Sequence, residues 1–171
     1  MPTRQPATLR AAAAVISGAI ALGLAGCAAV DPPSGAAAHY ASGGRHACAV
    51  GRPIELDGSS RTFYIDGRCG VVLVRGDGNT VRLQRAVSLS VQGRSDTISV
   101  DEGVGSAVIK GNGISLTADS VGSVQVTGQS NSITAPALGS VTVQGDHNAV
   151  TTHRKPSDYR VTGQDDTLTV D

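Results

Sequence analysis

Tryptophan is absent from this 171-residue chain, phenylalanine and methionine occur once each, and tyrosine occurs three times. So few rings leave little on which bases or sugar rings could stack, and any core has to be built from aliphatic side chains. Charge is scarce as well: 16% of the residues are Asp, Glu, Lys or Arg, with 14 basic against 14 acidic. No basic stripe is present, which disfavours nucleic acid as a partner, because neutralising phosphates requires clustered Lys and Arg. No Ser-His-Asp set, paired carboxylate or phosphate-cradling loop stands at a specific spacing. The chain therefore offers no catalytic residue, no cofactor site and no metal site at the level of motif.

Glycine, by contrast, is abundant at 22 residues, and seven of them form a series: Gly58, Gly76, Gly93, Gly111, Gly128, Gly145 and Gly163, spaced by 18, 17, 18, 17, 17 and 18. Such a period is too short for a helical hairpin and suits one coil of a β-helix. Two residues before each glycine stand Leu56, Val74, Val91, Ile109, Val126, Val143 and Val161; four before stand Ile54, Val72, Leu89, Ala107, Val124, Val141 and Tyr159. Strand side chains alternate with period two, so these columns share one inner wall. Five and seven residues after the glycine, columns beginning Phe63, Val81, Ile98 and Ile65, Leu83, Val100 form the opposing wall. One coil cannot offset its own ordering entropy, but a stack at about 4.8 Å per rung encloses a continuous core. The expected fold is an all-β, single-stranded parallel β-solenoid of about seven coils over residues 48–171, with right-handed winding favoured by the bias of parallel crossovers. A second corner is marked by Gly70, Gly105, Gly122 and Gly139.

Three residues after the repeat glycine, Asn79, Asp96, Asn131, Asn148 and Asp166 point inward by parity, interrupted by Ile114 and preceded by Arg61. A polar column at the edge of an apolar interior needs hydrogen-bond partners, and a structural ladder along the turns supplies them. Outward, hydroxyls recur in two adjacent columns: Thr97, Ser115, Ser132 and Thr167 beside Thr117, Thr134, Thr151 and Thr169. This grid is the candidate binding face, although Tyr64, Arg82 and Ala149 interrupt it and Thr suits any exposed strand. A second patch gathers Asp146, His147, His153 and Lys155, the last two in an insertion before the final coil. The row just after the glycine contains Asp77 and Asp146 but also Arg94, which argues against a calcium column.

Residues 1–26 have a separate character. Arg4 and Arg10 precede an apolar run, and Leu24-Ala25-Gly26 leads into Cys27. The segment resembles a bacterial lipoprotein signal, which implies cleavage before Cys27 and lipid attachment to its sulfur. The remainder then carries a formal charge of −2, 12 basic against 14 acidic residues. Residues 27–47 read as a flexible, lipidated tether with His39 and His46 solvated. Export to an oxidising compartment makes Cys48 and Cys69 disulfide candidates, the bond closing over the first coil; two unpaired thiols are the other reading.

The stretch Gly76-Asp77-Gly78-Asn79-Thr80-Val81 resembles the unit Gly-x-Gly/Ser-Asn-Thr-Val of a family of actinobacterial secreted and lipid-anchored proteins of unknown function. That resemblance implies a location in the cell envelope and carries no catalytic residues. The expected function is a non-enzymatic lipoprotein on the extracytoplasmic face of the cell membrane, displaying a rigid β-face to a protein or glycan. The alternative is a carbohydrate-active β-helix enzyme, which a cleft holding two or more carboxylates would favour. Because the last strand ends at Asp171, end-to-end self-association or pairing with a partner strand is a further expectation.

Overall fold

The computed structural model describes residues 36–48 and 52–171. Thirteen strands account for 71% of them. β1 (Ala38–Tyr40), β2 (Gly44–Ala47) and β3 (Ile54–Asp57) come first, followed by three long strands, β4 (Thr62–Asp77), β5 (Thr80–Arg94) and β6 (Thr97–Asn112). Later coils are divided at the second corner: β7 (Ser115–Ala118) and β8 (Ser120–Thr127), β9 (Ser132–Thr134) and β10 (Ala137–Gln144), β11 (Ala149–Thr152) and β12 (Asp158–Thr162), then β13 (Thr167–Val170). Every strand pair is parallel, each strand lying on its counterpart one coil along, so the chain winds as a β-solenoid of about eight turns.

The register follows the apolar columns. Val91 lies opposite Ile109, and Ile109 opposite Val126; on the other wall Val81, Ile98, Leu116 and Ile133 are successive partners. All of these are at most 1% exposed. A third inner column, at the second corner, comprises Cys69, Ala86, Val104, Val121 and Leu138, all buried. Pro156, also buried, continues this column, so residues 153–157 form the corner of their coil rather than an insertion outside the repeat. A register slip of one residue would turn each aliphatic column outward, which is why the alternation specifies the stacking.

The beginning of the solenoid differs from expectation. Residues 27–47 were expected to be a tether, yet β1 pairs with β3 (Ala38↔Ile54, Tyr40↔Leu56) and β2 with β4 (Gly44↔Phe63, His46↔Ile65). The Tyr40 and His46 rings stack with centroids 3.9 Å apart, and His46 lies 6.3 Å from the Phe63 ring. An extra coil thus covers the first aliphatic one. Its inward positions carry Tyr40 and His46, which match neither aliphatic column and so hide the repeat. His46 is half-buried rather than solvated; His39 is exposed, 3.8 Å from Asp57. Cys48 is bonded to Cys69 with Cα atoms 5.2 Å apart, tying this coil to the second-corner column. Residues 1–26 and the lipidation candidate Cys27 lie outside the described residues.

Candidate functional site

The first corner is held by two side-chain ladders. In the inner one, the side-chain oxygen of each ladder residue accepts the backbone N–H of its counterpart one coil earlier: Asn79 from Arg61 at 3.1 Å, Asp96 from Asn79 at 2.7 Å, Asn131 from Ile114 at 2.9 Å, Asn148 from Asn131 at 3.0 Å and Asp166 from Asn148 at 2.8 Å. The amide nitrogens of Asn79, Asn131 and Asn148 donate to the carbonyls of Gly58, Gly111 and Gly128, the repeat glycines of the preceding coils. Ile114 supplies no acceptor, so the ladder is broken there. Asp96 and Asp166 each leave Oδ2 buried and without a hydrogen-bond partner. By the shared register Oδ2 of Asp96 stands where an amide NH₂ would meet the Gly76 carbonyl. Burial pushes the Asp96 carboxyl above its ordinary range, although the Asn79 N–H opposes the shift.

The outer ladder went unseen in the sequence. Asp77, Asn112 and Asp146 accept the backbone N–H of Arg94, Gln129 and Gln164 at 2.9, 2.8 and 2.9 Å, each from the coil that follows. The acceptors occupy alternate coils, so the row is a hydrogen-bonded staple of two-coil period. The Arg94 guanidinium also bonds Asp77 at 3.0 Å and holds its carboxyl below the usual range. One residue further on, Ser60, Ser95, Ser130, His147 and Asp165 adopt φ of 54° to 58°, the left-handed conformation each turn requires.

The hydroxyl grid is in register throughout. Thr80, Thr97, Ser115, Ser132, Ala149 and Thr167 are successive partners, as are Ser99, Thr117, Thr134, Thr151 and Thr169. All eight candidate residues of this face are exposed or half-buried, presenting one sheet surface. The second patch is not brought together. His147 and Asp146 sit on the first corner, where His147 lies 3.4 Å from Asp165, whereas Lys155 lines a depression at the second corner.

That depression, of about 470 Å³, adjoins another of about 310 Å³, and Ser120 lines both. A smaller hollow of about 210 Å³ brings Asp66 and Asp101 near Arg45 and Arg82, with Asp66 paired to Arg45 at 3.4 Å. Among the described residues, no three His, Cys, Asp or Glu side chains converge as a metal site.

The model of a family described as protein of unknown function (DUF3060) matches residues 56–113 and again residues 108–165. The two matches each span about three coils of the same stack. No curated protein and no solved structure matches the chain.

Proposed function

Taking as premise that the chain belongs to this DUF3060 family of proteins of unknown function, we propose that it is a non-enzymatic module of the cell envelope. In this reading Cys27 carries the lipid that holds it on the extracytoplasmic face of the membrane, and the solenoid presents its hydroxyl face to an envelope glycan or protein. The observation that carries the reading is the unbroken register of that face from Thr97 to Thr169. A flat array of rotatable hydroxyls donates and accepts at a constant rung spacing, and the core behind it holds the geometry without induced ordering.

Co-sedimentation of the full chain with insoluble envelope glycan tests the face. Retention is expected, with loss on Thr117→Lys/Thr134→Lys, which adds two long cations to the centre of the grid while leaving both inner walls intact. Equal retention of that variant would overturn the role of the face. Fractionation tests the anchor: Cys27→Ala is expected to move the chain from the membrane to the soluble fraction, and unchanged membrane association would contradict lipidation. The carbohydrate-active alternative would draw on Asp66 and Asp101, two carboxylates that line one hollow. Release of soluble saccharide from envelope polysaccharide, abolished by Asp101→Asn, is the result that would favour it.

A further inference from the structure

The second corner contains a built trough separate from the hydroxyl face. One row along it reads Arg68, Arg85, Gly103, with Ser120 paired to Ala137 in the coils that follow and Lys155 next in the same register. The adjoining row reads Val87, Gly105, Gly122, Gly139 and Ser157. Small residues thus occupy both rows through three consecutive coils, while long side chains rise at either end. The two depressions described above are the result, and Val104, Val121 and Leu138 form their apolar floor.

The smallness is imposed by the stack. A Cβ at Gly105 would stand 2.5 Å from the Val87 carbonyl oxygen, and one at Gly122 2.5 Å from that of Gly105. The chain runs too close to the preceding coil for a side chain, so the trough cannot fill itself. The rim at its far end is equally fixed: Ser157 donates to the Gly139 carbonyl at 2.7 Å from both its N–H and its hydroxyl, and the Thr152 hydroxyl donates to the carbonyls of Pro136 and Arg154.

Charge lining the two depressions is unequal. Arg85 lies 3.7 Å from Glu102, the one carboxylate lining either depression, so the cation in the first is paired, with Arg68 standing one coil beyond it. At the other end Arg154 and Lys155 stand side by side, exposed, and neither takes part in an ion pair among the described residues. Asp158, the nearest acid in sequence, is 3.4 Å from Arg160. Two unneutralised cations over an apolar, hydroxyl-edged floor complement a chain that is anionic at intervals and presents C–H faces between its charges.

We propose that this trough binds a strand of an acidic polysaccharide, its carboxylates held by Arg154 and Lys155 and its sugar faces lying on the glycine strip. A peptide is the poorer fit, because β8 and β10 pair along their length and the backbone groups of the floor are already used between coils. With no tryptophan to stack a sugar ring, affinity depends on charge and on contacts repeated along the strand. The site is independent of the hydroxyl face.

Binding of polygalacturonate to the full chain in detergent micelles, followed by titration calorimetry, tests it. Saturable binding that weakens with salt is expected, with no binding of neutral dextran. Lys155→Glu is expected to weaken binding about tenfold, whereas Lys110→Glu, an identical charge change on an exposed strand position elsewhere, leaves it within about twofold. Ser120→Tyr, which fills the point where the depressions meet, gives a second loss without altering charge; melting curves verify that both variants fold. Equal weakening by Lys155→Glu and Lys110→Glu would mean non-specific charge attraction and overturn the proposal, as would binding of polyglutamate as tight as that of polygalacturonate. Loss of polygalacturonate selectivity with retention on insoluble envelope glycan intact would remove this proposal and leave the hydroxyl-face reading standing.

Discussion

Asp96 is the residue whose chemistry departs most from its column. Its Oδ1 does what the Asn oxygens do, but Oδ2 replaces an amide donor with an acceptor, facing a carbonyl in a site that excludes water. The neutral acid resolves the conflict, because its O–H can donate where the amide would. Asp96→Asn is therefore expected to raise stability at pH 7 by about 1–2 kcal/mol. The sign with pH follows from the raised folded-state pKa. Below about pH 4 the carboxyl is protonated in both states and the advantage of the variant is smallest. As pH rises from there toward the folded-state pKa, the unfolded chain gains by ionising and the wild type loses stability relative to the variant. Melting temperatures of both proteins from pH 3 to 8 check this; a difference constant across that range would contradict it. Gly128 is fixed for another reason: its φ is 134°, and a Cβ would overlap the Gly111 carbonyl. Gly128→Ala is expected to cost about 2–4 kcal/mol in denaturant unfolding. The ladder position was readable from its Asn and Asp residues, whereas the left-handed Ser60, Ser95 and Ser130 were not, because Ser carries no distinctive signal for positive φ.

At the scale of the coil, the corners depend on partners one rung away. Asn131 satisfies the Ile114 N–H and the Gly111 carbonyl, as each ladder Asn does for the coil before it. Asn131→Ala leaves both buried without those bonds, and a loss of about 2–4 kcal/mol is expected. Reduction of Cys48–Cys69 removes the link across 21 residues. A constraint of that loop length is worth about 3 kcal/mol, and the loss should be concentrated in the extra coil formed by β1 and β2. Hydrogen exchange with and without reductant checks this: faster exchange in residues 38–47 with residues 89–133 unchanged is expected, and uniform acceleration would contradict it. The sequence displayed the aliphatic coils because their columns repeat one residue class. It concealed the first coil, where Tyr40 and His46 replace aliphatics, and it concealed the trough, whose defining property is an absence of side chains at Gly103, Gly105, Gly122 and Gly139. The stretch with His153 and Lys155 reads as an insertion in the sequence, although Pro156 within it fills the corner column beside Leu138.

For the solenoid as a whole, stability is a sum over neighbouring coils, so the middle of the stack is the part most protected. Central positions such as Leu89, Val91 and Ile109 are fully buried, whereas Val161 and Val170 of the last coil are 37% and 48% exposed. Both proposed surfaces span several coils, the hydroxyl face across β6, β7, β9, β11 and β13 and the trough from β5 to the corner before β12. Each therefore exists only while the rungs stay in register, and a ligand bound across several coils should stabilise them together. The most direct test is methyl NMR of the isoleucine- and valine-labelled chain, reading cross-relaxation among Val91, Ile109 and Val126, which are 17 or 18 residues apart in sequence. Strong contacts from Val91 to Ile109 and from Ile109 to Val126, with none from Val91 directly to Val126, are the result expected of stacked parallel rungs. Absence of the two nearest-neighbour contacts in the folded chain would contradict the solenoid and both surfaces built on it.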